Sequence, residues 1–251
     1  MSKNRCFLDP LVTMHTCSSA RLNLNFDELL ERFITASDRQ RRTLRKSVEG
    51  QVAEVATRIP ALLDRFDPKQ DDWIPGWLIQ LAVHEDPDAI IRLQKSYPEG
   101  WLDTPSDAGL NYTTLQIALQ LQQFEEADRL TNRALRELAG SAAIKRGYVY
   151  YSEVISIISL DLITLDRLWS VYSLGRFGFT AQRKILQACN GRWEQLWPRI
   201  GWKTNGVWTR YPSAFDWSLH APEGHMPMIN QLRGIRLMDA LLQHPAFNEH
   251  L

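Results

Sequence analysis

DLITLDRLWSVYSLGRFGFTAQRKIL, residues 161–186, reads as a helix, a glycine turn and a second helix. Leu162, Leu165, Leu168, Trp169 and Tyr172 recur at three- and four-residue steps, the spacing of one helical face. Asp161 is suited to cap that helix and Gly175 to end it. Thr180 can cap the next helix, which runs to about Cys189. The intervening GRFGFT resembles a phosphate-binding loop only superficially. Its two phenylalanines between glycines predict a buried staple between helices.

The same period extends towards both ends. Leu29, Leu30, Phe33 and Ile34 form one face of a short helix. Val48, Val52, Val55, Ile59, Leu62, Leu63 and Phe66 predict one longer amphipathic helix, which Pro60 kinks or ends. Trp73, Trp77, Leu78 and Leu81 continue the pattern, and residues 88–97 can add a turn or two. YPEGWLDTPSDAGLN, residues 97–111, holds two Pro and two Gly among Ser, Asp and Asn, and is the best linker or long-loop candidate. Beyond it, Tyr112–Leu121 and Phe124–Leu138 predict two antiparallel helices, with Gly140 as a stop. From Asn190 to Pro227 the pattern breaks, punctuated by Gly and Pro. A final helix carries Leu232, Ile235, Met238 and Leu242 on one side. Sustained strand alternation is absent, so the fold class is all-α. The expected plan is a disordered N-terminus (1–25), an N-terminal helical bundle (26–105) and an all-helical core with long aromatic loops (106–251).

Bulk composition narrows the function. The formal net charge is zero, with 44% hydrophobic and 23% charged residues, so a nucleic-acid partner is not expected. Cys6, Cys17 and Cys189 are too few and too scattered for a disulfide framework or a zinc site, which points to a reducing compartment. His15 and Cys17 lie close together but do not make a metal site. No apolar run approaches the length needed to span a bilayer, and the first 25 residues lack the apolar core of a secretory signal. There is no P-loop signature, no HExxH and no CxxCH. No set of acid, base and nucleophile converges, so an enzyme is not expected. Asp161 and Asp166 read as cap and surface residues, and His225 as a structural hydrogen-bonding residue rather than an axial ligand.

The irregular stretch is unusual in one respect. Trp193, Trp197, Trp202, Trp208, Tyr211, Phe215 and Trp217 place seven large rings in 25 residues. Asn230, Gln231, Arg233 and Arg236 follow, and Asn230, Arg233 and Arg236 share one helical face. Two readings stand side by side. The rings complete a core that the helices leave open, or they bury a flat ligand whose carboxylates meet the arginines. A porphyrin, with its apolar disc and two propionates, has the chemistry for the second.

Residues 161–186 resemble the signature of the genomes-uncoupled-four family, porphyrin-binding accessory proteins of magnesium chelatase. The resemblance rests on Asp161, Leu162, Leu168, Trp169, Gly175, Phe177, Gly178, Phe179 and Gln182. Further matches are Phe124, Ala127, Asp128 and Thr131, then IGWK at 200–203, VWTR at 207–210, APEGHMP at 221–227 and NQLRGIR at 230–236. It is dense over about residues 110–245. The preceding block more loosely resembles the helical domain of cyanobacterial members. The resemblance implies an all-helical, cupped cleft for protoporphyrin IX or Mg-protoporphyrin IX, with no covalently bound cofactor. The loaded protein would stimulate Mg²⁺ insertion by the chelatase in chlorophyll biosynthesis. Arg233 and Arg236 would meet the propionates; Trp208, Tyr211 and Trp217 would form a mobile aromatic rim; Tyr151 would line the cleft; Asn230 and Gln231 are second choices. The implied partner is the large, porphyrin-binding chelatase subunit. The implied state is a monomer without a transmembrane segment, compatible with peripheral membrane contact. The location would be the cytoplasm of a cyanobacterium, or the chloroplast stroma in a eukaryote. A helical protein-interaction scaffold with no small-molecule ligand is the alternative.

Overall fold

The structure is a computed structural model that describes residues 25–229 and 235–248. The N-terminal block opens with α1 (Phe26–Thr35), whose first turn is capped by the Asn25 side chain accepting from Glu28 N at 2.9 Å. α2 (Asp38–Glu49) and α3 (Val52–Leu63) follow. The single long helix expected over residues 48–66 is therefore two. The break falls at Gly50–Gln51, where glycine is a poor helix former and Gln51 leaves helical geometry. Pro60 neither ends nor disrupts α3. It has no N–H to offer Ala56 O, and Arg92 donates to that carbonyl instead at 3.0 Å.

α4 (Trp73–Glu85) is capped by Asp72 and buried on most of its circumference. α5 (Ala89–Ser96) closes the block. Residues 97–112 form the expected long loop, and helix-borne side chains hold it down. Gln116 accepts from Leu102 N at 2.7 Å and donates to Leu102 O at 3.2 Å.

The core region contains α6 (Thr113–Gln120), α7 (Phe124–Leu138), α8 (Ser141–Arg146), a 3-10 turn (Tyr151–Ser156), α9 (Ser159–Val171), α10 (Phe179–Ala188) and α11 (Trp193–Arg199). A two-residue hairpin, β1 (Lys203–Thr204) with β2 (Val207–Trp208), precedes α12 (Ile235–Leu242) and a short 3-10 turn, Pro245–Phe247. The all-α class holds. Helices α8 and α11, the 3-10 turns and the hairpin are additions to the expected list. The hairpin had a readable signal: Asn205–Gly206, both at positive φ, is the residue pair that a tight two-residue turn selects.

α9 is the central element. Leu162, Leu165, Leu168, Trp169 and Val171 are all fully buried, and Trp169 Nε1 donates to Thr131 Oγ1 of α7 at 2.9 Å. Three expectations change here. Asp161 is not the cap of α9, because the helix starts two residues earlier. Its buried carboxylate instead accepts from Ser106 Oγ, Ala108 N at 3.1 Å and Tyr112 Oη at 2.8 Å, fixing the long loop. Asp166 is not a surface residue. It accepts from Thr180 N at 2.9 Å and from Thr180 Oγ1, so α9 supplies the cap of α10 from outside. Thr180 accordingly lies inside the first turn of α10 rather than before it. Only glycine fits at 178, where φ is 114° and a Cβ would lie 2.5 Å from Asp166 Oδ1. Phe177 and Phe179 are buried, as a staple between helices requires.

One continuous hydrophobic core runs through both blocks. Gln80 on α4 donates to Leu119 O at 2.9 Å and Tyr172 O at 2.7 Å, at the ends of α6 and α9. Gly76 lets α4 approach α9 so closely that a Cβ there would lie 2.4 Å from Val171 O. Among the described residues no helix is long and apolar enough to cross a membrane. The expectations for residues 1–24, including His15 with Cys17, lie outside the described residues.

Gly76→Ala should push α4 off α9 and destabilise the protein by about 1–3 kcal/mol, the scale of overpacking a close backbone contact. Equilibrium denaturant unfolding checks this. Wild-type stability would mean that the two helices can separate at no cost.

Candidate functional site

A cavity of about 870 Å³ opens between α7, the segment joining α8 to α9, the residues after the hairpin, and α12. Its volume is that of a pocket for a drug-sized molecule or cofactor. The floor is apolar: Leu135, Val149, Val154, Ile157, Met228, Ile229, Leu237 and Leu241 all line it and are buried. Four arginines among the described residues line it. Arg129 pairs with Glu126, and Arg146 pairs with Glu153 while lying over the Tyr150 ring at 3.9 Å. The side chains of Arg136 and Arg210 have no hydrogen bond or ion pair among the described residues. Among the described lining residues they are the arginines available to an incoming anion. Arg129, Asn132 and Arg136 lie at helical spacing along one edge of α7, a stripe beside its apolar face that the sequence displays but that was not singled out.

The aromatic stretch divides into a stack and an end. Trp197 and Trp202 are buried and stacked, with centroids 5.8 Å apart and planes 8° apart. Trp193 packs on Trp197 at 5.2 Å, and Trp202 on Phe215 at 6.4 Å. Core completion thus explains most of the rings. Trp208 and Tyr211 are the two that reach the cavity wall. Trp208 stays 42% exposed. Trp217 stands behind Tyr211, centroids 5.9 Å apart, and donates from Nε1 to Pro212 O at 3.1 Å. It does not line the cavity.

The remaining candidates fall on both sides of what is described. Tyr151 shares a face of its 3-10 turn with the lining residues Val154 and Ile157, since side chains three apart eclipse in that helix. The Arg236 guanidinium lies over the Tyr151 ring at 5.6 Å, and neither residue is among those that line the cavity. Asn230, Gln231 and Arg233 lie outside the described residues. His225 is structural, as expected. It is buried, its Nδ1 lies 2.6 Å from Ile200 O, its carbonyl accepts from Trp202 Nε1, and burial lowers its basicity. No cluster of metal-ligating side chains occurs among the described residues.

Behind the cavity wall is a group that sequence reasoning matched but did not assign. Asp128 is fully buried on α7. It accepts from Met228 N at 2.6 Å, Tyr211 Oη at 2.9 Å and Asn132 Nδ2 at 3.2 Å. No cation pairs with it among the described residues, and loss of water pushes its pKa up to about 7 against the hydrogen bonds that lower it. An acid one helical turn from Phe124, on the face that buries Ala127, was the available signal.

A family model described as GUN4-like matches residues 105–245. The chain belongs to the GUN4-like family. A Ycf53-like protein of Synechocystis sp. is 45% identical over 159 residues, covering 63% of this chain and 68% of that protein. A tetrapyrrole-binding protein, chloroplastic, of Arabidopsis thaliana is 39% identical over 145 residues, 54% of this chain and 55% of the relative. The solved structure of GUN4 from Chlamydomonas reinhardtii is 38% identical with a TM-score of 0.55, covering 58% of this chain and 93% of that one. The GUN4-like segment contains every element that lines the cavity.

Asp128 also sets a pH dependence of folding. Its pKa is raised in the fold, so its contribution is fully present below the unfolded value near 4, falls as pH rises and is gone above about 7. Relative to Asp128→Asn, the wild type should lose at most about 4 kcal/mol between pH 4 and pH 8. Denaturant unfolding of both proteins across that range measures it, and parallel curves would place the titration elsewhere.

Proposed function

We propose that this protein binds a tetrapyrrole in the cavity beside α7 and serves magnesium chelatase as a non-enzymatic accessory protein. The observation that carries the reading is a preformed cavity of about 870 Å³ with an apolar floor and two uncommitted arginines, Arg136 and Arg210. An apolar disc bearing carboxylates matches that division of surface. Arg233 and Arg236 are further proposed anchors, carried by the family resemblance. Tyr151 and Trp208 would border the macrocycle, with Trp217 backing Tyr211. Asn230 and Gln231 would lie alongside. The tetrapyrrole-binding relative in Arabidopsis supports the ligand class. Protoporphyrin IX and Mg-protoporphyrin IX are the proposed ligands, and the large chelatase subunit is the proposed partner. The protein would act as a monomer in a cyanobacterial cytoplasm or chloroplast stroma.

Titration with deuteroporphyrin, a water-soluble analogue, should quench tryptophan fluorescence saturably, because Trp208 borders the cavity. Arg136→Ala and Arg210→Ala should each weaken binding by about 1–3 kcal/mol, the scale of a charge-assisted hydrogen bond, and leave thermal unfolding unchanged. Absence of both quenching and a Soret shift in the wild type would reject the reading in favour of a protein-interaction scaffold. Mg²⁺ insertion by the protein alone would reject the non-enzymatic part.

A further inference from the structure

Asp128 occupies an uncommon position. It is wholly buried, has no cationic partner among the described residues, and holds two parts of the cavity wall at once. One part is the arm after the hairpin, through Tyr211 Oη. The other is the segment before residue 230, through Met228 N. Asn132 completes the clamp by donating to Met228 O at 3.0 Å. The arm carries Tyr211 and Arg210 on its cavity side, follows an exposed hairpin and is itself largely exposed, with Phe215 and Trp217 packed against the Tyr211 ring.

Among the described residues, the polar groups facing the carboxylate are neutral donors: Tyr211 Oη from the arm, Met228 N from the preceding segment and Asn132 Nδ2 from α7. The charge acting on it is that of Glu125, on the same helix, which opposes ionisation. Withdrawal of Tyr211 would admit water to Asp128 and restore an ordinary acid. Closure of the arm therefore removes water from a charge that no described residue neutralises, and a proton relieves that cost. A dianionic ligand in the adjacent cavity acts in the same direction.

We propose that Asp128 is a positioning residue that makes closure of the Tyr211 arm, and with it ligand binding, proton-linked. This deepens the tetrapyrrole reading and rests on it for the ligand. Binding takes up a proton, so affinity for deuteroporphyrin rises as pH falls from about 8.5 to about 6.5. The expected gain is about threefold to tenfold, the range that one hydrogen-bond-sized coupling spans.

Calorimetric titration of the full chain in buffers of different ionisation enthalpy counts the protons directly. The wild type should take up a fraction of a proton near pH 7.5, and Asp128→Asn should take up none. Tyr211→Phe keeps the ring and removes the hydroxyl that favours ionisation, so its affinity profile should move to higher pH. A residue with a merely structural role would change affinity without moving that inflection. Hydrogen exchange of residues 209–215 in the ligand-free protein, corrected for intrinsic rates, gives a test that needs no ligand. Protection should be greater at pH 6.5 than at pH 8.5 in the wild type and pH-independent in Asp128→Asn. If the wild type fails to bind porphyrin, the functional reading falls and this exchange measurement alone decides the linkage. Equal proton uptake in wild type and Asp128→Asn, or pH-independent exchange in the wild type, would overturn the proposal.

Discussion

A buried carboxylate with no cation beside it among the described residues must satisfy itself through hydrogen bonds, and Asp128 does so by accepting from donors on three segments. That requirement organises the site. α7 can present Asp128 inward because α9 holds α7 in place, through the Trp169–Thr131 hydrogen bond and the apolar packing around it. Once α7 is fixed, Met228 and Tyr211 have one place to go. The floor and one wall of the cavity follow from them.

The same device recurs wherever the chain lacks regular structure. Irregular backbone inside a protein has no ladder to satisfy its N–H and C=O groups, so side chains must do it. Gln182 on α10 donates to Gly224 O at 3.0 Å and Pro227 O at 2.9 Å. Arg176 donates to Leu219 O and Ala221 O. Gln116 and Asp161 hold the long loop before α6 in the same manner. A segment rich in Gly and Pro thereby becomes a fixed wall.

These contacts explain which features could be read from sequence. Helical faces are local: Leu162, Leu165, Leu168 and Trp169 announce α9 by spacing alone. The break at Gly50–Gln51 was obscured because apolar residues continue in phase on both sides of it. Asp161, Asp166 and Asp128 all look like ordinary polar residues of helices. Their roles depend on partners 14 to 100 positions away in the chain, and no local pattern encodes such a pairing. The candidate site shows the same division. The family resemblance pointed to Trp208 and Tyr211, which line the cavity, and to Tyr151, Arg236 and Trp217, which do not. Arg136, Arg146 and Arg210 were passed over, because what distinguishes one surface arginine from another is whether a carboxylate stands beside it.

That distinction also bears on how a ligand could come and go. Arg129 and Arg146 are neutralised by Glu126 and Glu153, so they shape the cavity without adding net charge. Arg136 and Arg210 are the cations left over among the described lining residues, one on a helix packed into the core and the other on the arm that Tyr211 tethers. An anion bridging them would draw the arm towards α7. Its departure would leave the Tyr211–Asp128 hydrogen bond, the bonds of Thr209 to Trp202 O and Gly201 O, the Trp217–Pro212 bond and aromatic packing to keep the arm in place. The cavity therefore combines a rigid floor, which needs no ligand to form, with one wall whose closure a dianion can favour.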